Sequence, residues 1–116
     1  MLPSRLSAAT LTYRVRVTRA ATVDAQEYAT FIRDENQSPF AARKWLDGLQ
    51  AELASLTEMP TRFPVIPEAE ELGFPYRSFM YHSHRVIYAV REEDQTVIVH
   101  LVYHGARKPL TRRELE

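Results

Sequence analysis

Residues 76–103 read YRSFMYHSHRVIYAVREEDQTVIVHLVY, and this stretch decides the fold. It divides into three runs rich in β-branched and aromatic side chains, which predict strands over Tyr76–Tyr81, His84–Arg91 and Thr96–Tyr103. The links between the runs, His82-Ser83 and residues 92–95, are too short for a crossover connection. The three strands are therefore predicted to form an antiparallel meander.

Two amphipathic helices are predicted upstream of the meander. The first begins after Thr22, which can cap it, carries Asp24 in its first turn and ends near Asn36. The second begins at Ser38-Pro39 and runs to about Glu58. Because the link between them is short, the helices should form an antiparallel hairpin. The apolar stripe of the second helix is formed by Ala42, Trp45, Leu46, Leu49, Leu53 and Leu56.

A further strand is predicted before the helices, over Leu11–Thr18, because apolar and polar residues alternate there. The order β-α-α-β-β-β predicts an α+β fold in which the helical hairpin packs on one face of a small, mainly antiparallel twisted sheet. Residues 59–75 contain four prolines and an acidic stretch at 68–71, so they are predicted to form a loop. We expect residues 1–10 to be an extension and residues 108–116 an exposed basic tail.

The composition indicates one small globular domain over residues 1–116, with 45% hydrophobic and 26% charged residues. There is no cysteine, which excludes disulfides and thiolate metal sites. The chain shows neither a secretory signal pattern nor an apolar run long enough to span a membrane, so a cytoplasmic location is expected. Fifteen cations balance fifteen acids, so no overall attraction to nucleic acid is predicted.

Four segments carry recognisable motifs: YRVRVT at 13–18, SPFAARKWL at 38–46, YR at 76–77 with HRVIYAV at 84–90, and VHLVYHGAR at 99–107. In this order and spacing they resemble the RelE/ParE superfamily of toxins from bacterial type II toxin–antitoxin systems. The last two segments are the more specific, and the resemblance covers most of the chain.

The resemblance implies a toxin held inactive by an antitoxin, which places a helix in an apolar groove and an extended segment along the sheet. The first or the last strand is expected to present the free edge for that segment. ParE-like members of the superfamily poison DNA gyrase without an established catalytic residue. RelE-like members cleave mRNA in the ribosomal A site.

Two features favour a ParE-like inhibitor of DNA gyrase. The chain is neutral and has only two lysines, Lys44 and Lys108, whereas a ribosome-dependent nuclease benefits from a strongly basic surface. The ending His104-Gly105-Ala106-Arg107 is also similar to the His-Gly-x-Arg close of ParE-like proteins. The candidates for target binding are the basic residues that follow the last strand: Arg107, Lys108, Arg112 and Arg113.

The alternative is a RelE-like mRNA endonuclease whose site lies where the ends of the last three strands converge on one rim. Arg77 and Arg85 would clamp the phosphate through their planar forks. His104 would act as general acid or base, and Tyr103 would stack or donate a hydrogen bond. A second alternative is a homologue that binds the antitoxin but has lost toxicity.

Several of these residues also have structural explanations. Arg77 is predicted either to be exposed on its strand or to pair with the acidic residues 68–71. Trp45 falls in the helical stripe and is expected to be core. Tyr103 is equally expected to share a buried face with alternate residues of its strand, Val97, Val99 and Leu101.

No metal or cofactor site is expected. The four histidines, His82, His84, His100 and His104, lie near the predicted strands. Strict alternation places His100 and Tyr103 on opposite faces, and no close pair of ligands fixes a coordination geometry.

Overall fold

The computed structural model describes residues 12–104 and residue 115. Its elements are β1 (Arg14–Val17), α1 (Arg19–Glu35), α2 (Pro39–Ala54), α3 (Ala69–Leu72), β2 (Arg77–Tyr81), β3 (His84–Arg91) and β4 (Thr96–His104). The predicted α+β fold, with a helical hairpin on a four-stranded sheet, is confirmed. The expected extension at 1–10 and basic tail at 108–116 lie outside the described residues, apart from Leu115.

The region after α2 is more regular than predicted. The second helix ends at Ala54, not at Glu58, and the chain continues into a 3₁₀ turn over Ser55–Thr57 and another over Pro60–Arg62. The predicted loop of residues 59–75 also contains the short helix α3.

The sheet order is β1-β4-β3-β2. The last three strands form the predicted antiparallel meander, and β1 pairs in parallel with β4 over Arg14–Val17. The central position of β4 leaves β1 and β2 as the edge strands. The free edge expected at the first or the last strand therefore lies at the first.

A β-bulge in β4 changes the face of the sheet on which the following side chains lie. Ile87 lies opposite Leu101 and Tyr88 lies opposite Val99, which leaves His100 as an extra residue. Val99 packs against the helices, whereas Leu101 belongs to a separate cluster on the other face.

Because of this bulge, two predictions based on strict alternation are wrong. Tyr103 lies on the face of Leu101 and not on the face of Val97 and Val99. His100 contacts Tyr76, which packs against the same cluster as Tyr103, so His100 and Tyr103 share a face.

Side-chain caps fix where the helices begin. The Oγ1 atom of Thr18 accepts from the amide of Ala21 at 3.1 Å, so Thr18, and not Thr22, caps α1. Thr18 alone separates β1 from the helix. Ser38 caps α2 as predicted, accepting from the amide of Ala41 at 3.0 Å.

The main core lies between the helical hairpin and the sheet. Trp45 is buried in it, as predicted, together with fully buried side chains such as Leu56 and Tyr88. This packing fixes which sheet face the helices cover and which face remains for other contacts.

Candidate functional site

The outer face of the sheet, which is the face away from the helical hairpin, holds a part-buried charged cluster. Arg85 of β3 lies opposite Tyr103 of β4, and its Nη1 donates to the hydroxyl of Tyr103 at 2.8 Å. The guanidinium also donates two hydrogen bonds of 3.1 Å to the carboxylate of Glu68, which directly precedes α3. We call these three residues the Arg85 cluster.

The side chains of the Arg85 cluster bind one another, and the charge of Arg85 is balanced within the cluster by Glu68. The side chains of Arg85 and Glu68 are only 18% and 13% exposed. The hydrogen bond to Glu68 raises the pKa of Arg85, burial opposes this effect, and the bond to Tyr103 raises the pKa further. Because Glu68 occupies both prongs of the guanidinium fork, Arg85 is engaged as an internal ion-pair partner.

A cluster of apolar side chains covers part of this face. Ile87, Leu101 and Tyr103 from the sheet are buried with Ile66, and partly buried residues from α3 and its flanks pack onto them. These flanking residues are Ala69, Leu72 and Tyr76. The segment between α2 and β2 therefore shields the surface that carries Arg85.

Arg77 serves a different part of the structure. Its Nη1 donates to the carbonyl oxygens of Thr61 at 3.1 Å and Phe63 at 2.6 Å, so it ties the second 3₁₀ turn to β2. Within the acidic stretch 68–71, which was one predicted partner of Arg77, Glu68 pairs with Arg85. Arg77 is the first residue of β2 and lies about 13 Å from Tyr81, the residue at the other end of the strand.

His104 lies on the helix side of the sheet, opposite His84 in the register. The two rings are 5.5 Å apart, and His84 also contacts Tyr28 of α1 at 4.1 Å. Burial, and then the nearby His104, lower the pKa of His84. His104 is exposed, but it faces away from the Arg85 cluster.

Of the four candidate nuclease residues, only Arg85 and Tyr103 are brought together. Phosphodiester cleavage needs the phosphate clamp and the proton-transfer group within hydrogen-bond reach of the same substrate atoms. His104 lies on the opposite face of the sheet, and Arg77 is used to hold a turn. The described residues therefore contain the clamp and the hydroxyl but do not bring His104 to them.

The four candidates for target binding fall outside the described part of the chain. Arg107, Lys108, Arg112 and Arg113 follow the last described residue of β4, His104. Their role as contacts for a target stays a prediction.

A shallow groove runs along the helical hairpin. Two adjoining hollows of about 460 and 350 Å³ share Gln26, Arg43 and Leu46 on their walls. The floor is made by small or apolar residues, including Ala25, Ala29, Ala42 and Leu53. At the neighbouring sheet edge, β1 pairs over its length with β4 alone among the described residues. The groove and this edge are therefore surfaces on which another chain can pack.

The sequence did not identify the role of Glu68. The acidic stretch at 68–71 was visible, but nothing in it distinguished Glu68 from Glu70 or Glu71. The usable signal was Arg85, because a charged side chain next to the apolar run of residues 86–90 in a strand needs a nearby anion when it is buried.

Within residues 12–104 and 115, no three His, Asp or Glu side chains are grouped so that they could hold a metal ion. None of the helices in this part of the chain is long and apolar enough to cross a membrane.

Comparison with known proteins gives a family match and several structural likenesses. The model of the family described as the ParE toxin of type II toxin–antitoxin system, parDE, matches residues 15–109. The chain is similar to one in the toxin–antitoxin complex RelBE2 from Mycobacterium tuberculosis, with 23% identity, a TM-score of 0.53 and coverage of 84% of this chain and 95% of that one. It is also similar to a chain of the archaeal RelE–RelB complex from Pyrococcus horikoshii OT3, with 18% identity, a TM-score of 0.43 and coverage of 84% and 99%. No curated protein sequence matched this chain significantly. The likeness to the mycobacterial chain shows a shared fold.

Proposed function

The chain belongs to the ParE toxin family of type II toxin–antitoxin systems, and we propose that it inhibits DNA gyrase by binding it, without catalytic chemistry of its own. The observation that carries this proposal is the closed Arg85 cluster. Glu68 and Tyr103 occupy the guanidinium that an RNA-cleaving site would need for a phosphate. His104, the candidate proton-transfer residue, lies across the sheet.

The neutral charge of the chain supports the same proposal. A nuclease that binds a phosphate-dense target gains affinity from each released counterion, and this chain has no excess of cations. A protein target such as gyrase does not require that excess. We propose that the basic residues after β4, Arg107 and Lys108 first among them, make the contacts with gyrase.

The deciding experiment compares gyrase supercoiling with cleavage of ribosome-bound mRNA, using purified toxin and two single-residue variants. Tyr103→Phe removes the hydroxyl that accepts from Arg85, and His104→Ala removes the exposed imidazole. We expect the wild type and both variants to inhibit supercoiling equally and to leave mRNA intact. On controlled expression, all three should cause filamentation and a DNA damage response.

A matched pair of double variants tests the gyrase contacts. Arg107→Ala/Lys108→Ala should weaken inhibition of supercoiling at least tenfold. Arg43→Ala/Lys44→Ala removes an equally charged, adjacent Arg-Lys pair that is exposed on α2 and should leave inhibition unchanged. Equal losses in both variants would show that only the total charge matters.

The second candidate is a RelE-like mRNA endonuclease, and the sheet register favours it because it places two of the four candidate residues, Arg85 and Tyr103, directly opposite each other. In that case A-site cleavage would be observed and would be lost in Tyr103→Phe or His104→Ala. Expression without growth arrest, gyrase inhibition or mRNA cleavage would indicate the third possibility, a homologue that has lost toxicity.

We also propose that an antitoxin neutralises this protein by laying a helix in the groove between α1 and α2 and a strand along β1. The apolar floor of the groove and the open edge of β1 support this arrangement. Co-expression with the antitoxin gene should restore growth. Leu46→Lys, which places a charge in the groove, should abolish the rescue and leave toxicity intact.

A further inference from the structure

A third hollow lies on the helix side of the sheet, between α1 and the end of β4. Its volume is about 510 Å³, and it adjoins the two surfaces already described, since it shares Val102 with the hairpin groove and Tyr103 with the Arg85 cluster. Its walls combine acidic, aromatic and imidazole residues with one valine: Asp24, Glu27, Tyr28, Phe31, His84, Val102, Tyr103 and His104. Among the described residues that line it there is no arginine or lysine.

The aromatic wall is exposed at a position where burial would be expected. Phe31 is 53% exposed, although its ring stacks on Tyr28 with 5.6 Å between the centroids. Tyr28 in turn meets the ring of His84 edge-on at 4.1 Å. Stacked rings that are open on one side offer the π-faces that a planar cation prefers.

The acidic wall is held in place by the sheet. β1 ends at Val17, so the amide of Val102 has no strand partner, and the Oδ2 atom of Asp24 accepts from it at 3.1 Å. This bond fixes the carboxylate at the rim of the hollow. Glu27 lies three residues further along α1 and is exposed. A carboxylate has acceptor sites for more than one donor, so both side chains can receive hydrogen bonds from a ligand.

A third observation concerns His84. Its side chain is only 3% exposed and lines the hollow, and Nδ1 has no hydrogen-bond partner within the described part of the chain. Burial keeps the pKa of this imidazole low, which favours the neutral ring with one acceptor nitrogen. A donor that reaches this ring from the hollow removes an unsatisfied polar contact.

We propose that this hollow is a docking site for an arginine side chain presented by a partner protein. Arginine fits better than lysine, because its planar guanidinium can stack on Phe31 and Tyr28 while its fork donates to Asp24 and Glu27. The inference goes beyond the proposed function, because it holds whichever target the toxin inhibits.

The test is an NMR titration of the isotopically labelled full chain, made by cell-free synthesis, with N-acetyl-arginine amide. Saturable shifts are expected for the ring signals of Tyr28, Phe31 and His84. The neutral probe N-acetyl-norleucine amide, which has a similar length, should bind at least fivefold more weakly.

Surface variants then locate the site without disturbing the core. Glu27→Gln and Phe31→Ala should each weaken binding of the arginine probe at least threefold. Glu35→Gln removes an exposed acid from the far end of the same helix and should leave binding unchanged. Circular dichroism checks that each variant keeps its fold.

Two outcomes would overturn the proposal. The first is the absence of saturation, or equal binding of the neutral and cationic probes. The second is binding that emerges only in Arg107→Ala/Lys108→Ala, since the occupant would then be the chain's own basic segment and not a partner.

Discussion

Replacing Glu68 by Gln tests whether burial sets the strength of the Arg85 cluster. Removing one partner of a buried ion pair leaves the other charge uncompensated, which costs about 3–5 kcal/mol. Arg85 and Glu68 keep 18% and 13% exposure, so water can relieve part of this cost. We therefore expect the free energy of unfolding to fall by about 2–3 kcal/mol.

The expected change in melting temperature follows from the chain length. With about 2.1 cal/mol/K of unfolding entropy per residue, a chain of 116 residues loses about 4 °C for each kcal/mol. Glu68→Gln should therefore lower Tm by about 8–12 °C. Thermal unfolding followed by circular dichroism, with urea unfolding at the same pH, measures both quantities.

The matched control breaks a shorter but exposed ion pair. The Arg91 Nη2 and Asp94 Oδ2 atoms lie 2.6 Å apart, yet the two side chains are 40% and 44% exposed. Water replaces the lost contact, so Asp94→Asn should leave Tm unchanged within error. The double variant Glu68→Leu/Arg85→Met, which removes both buried charges, should recover most of the stability lost in Glu68→Gln. Equal shifts in Glu68→Gln and Asp94→Asn would refute the argument that burial decides the strength of these pairs.

Three further predictions concern the core and the helix caps. A Cβ atom at Gly48 would clash with the hydroxyl of Tyr81, so Gly48→Ala should destabilise the fold by about 1–3 kcal/mol. Adding Tyr81→Phe should restore part of this stability in urea unfolding, and simple additivity of the two effects would contradict the clash. Burial, and then a neighbouring histidine, hold the pKa of His84 below 6.5. The unfolded chain therefore binds a proton at a higher pH than the folded chain, so the free energy of unfolding should fall as pH drops below 6.5. An NMR titration midpoint of His84 above 6.5 would reverse the direction of this pH dependence. Thr18→Ala removes the α1 cap and should lower the free energy of unfolding by about 1–2 kcal/mol. Thr22→Ala should have little effect in the same assay. A larger loss in Thr22→Ala than in Thr18→Ala would show that Thr22 caps the helix, as predicted from the sequence.

The local elements could be predicted from the sequence because local signals specify them. The alternation in β1, the apolar stripe of α2 and the short links of the meander depend on residues a few positions apart. Ser38-Pro39 marked the start of α2 for the same reason, since the cap bond reaches only to Ala41. The family motifs likewise needed only their order along the chain, and the family match over residues 15–109 agrees with them.

The candidate site depended on contacts that the sequence does not encode locally. Glu68 and Arg85 are 17 residues apart and meet only because α3 folds over the outer face of the sheet. The bulge at His100 reversed the face expected for Tyr103, because one extra residue in a strand inverts every side chain beyond it. The chain by itself thus determined the two long helices, the four strands, their order and the family. Tertiary packing decided which charged and polar side chains meet, since burial and strand register arise only when distant segments are brought together.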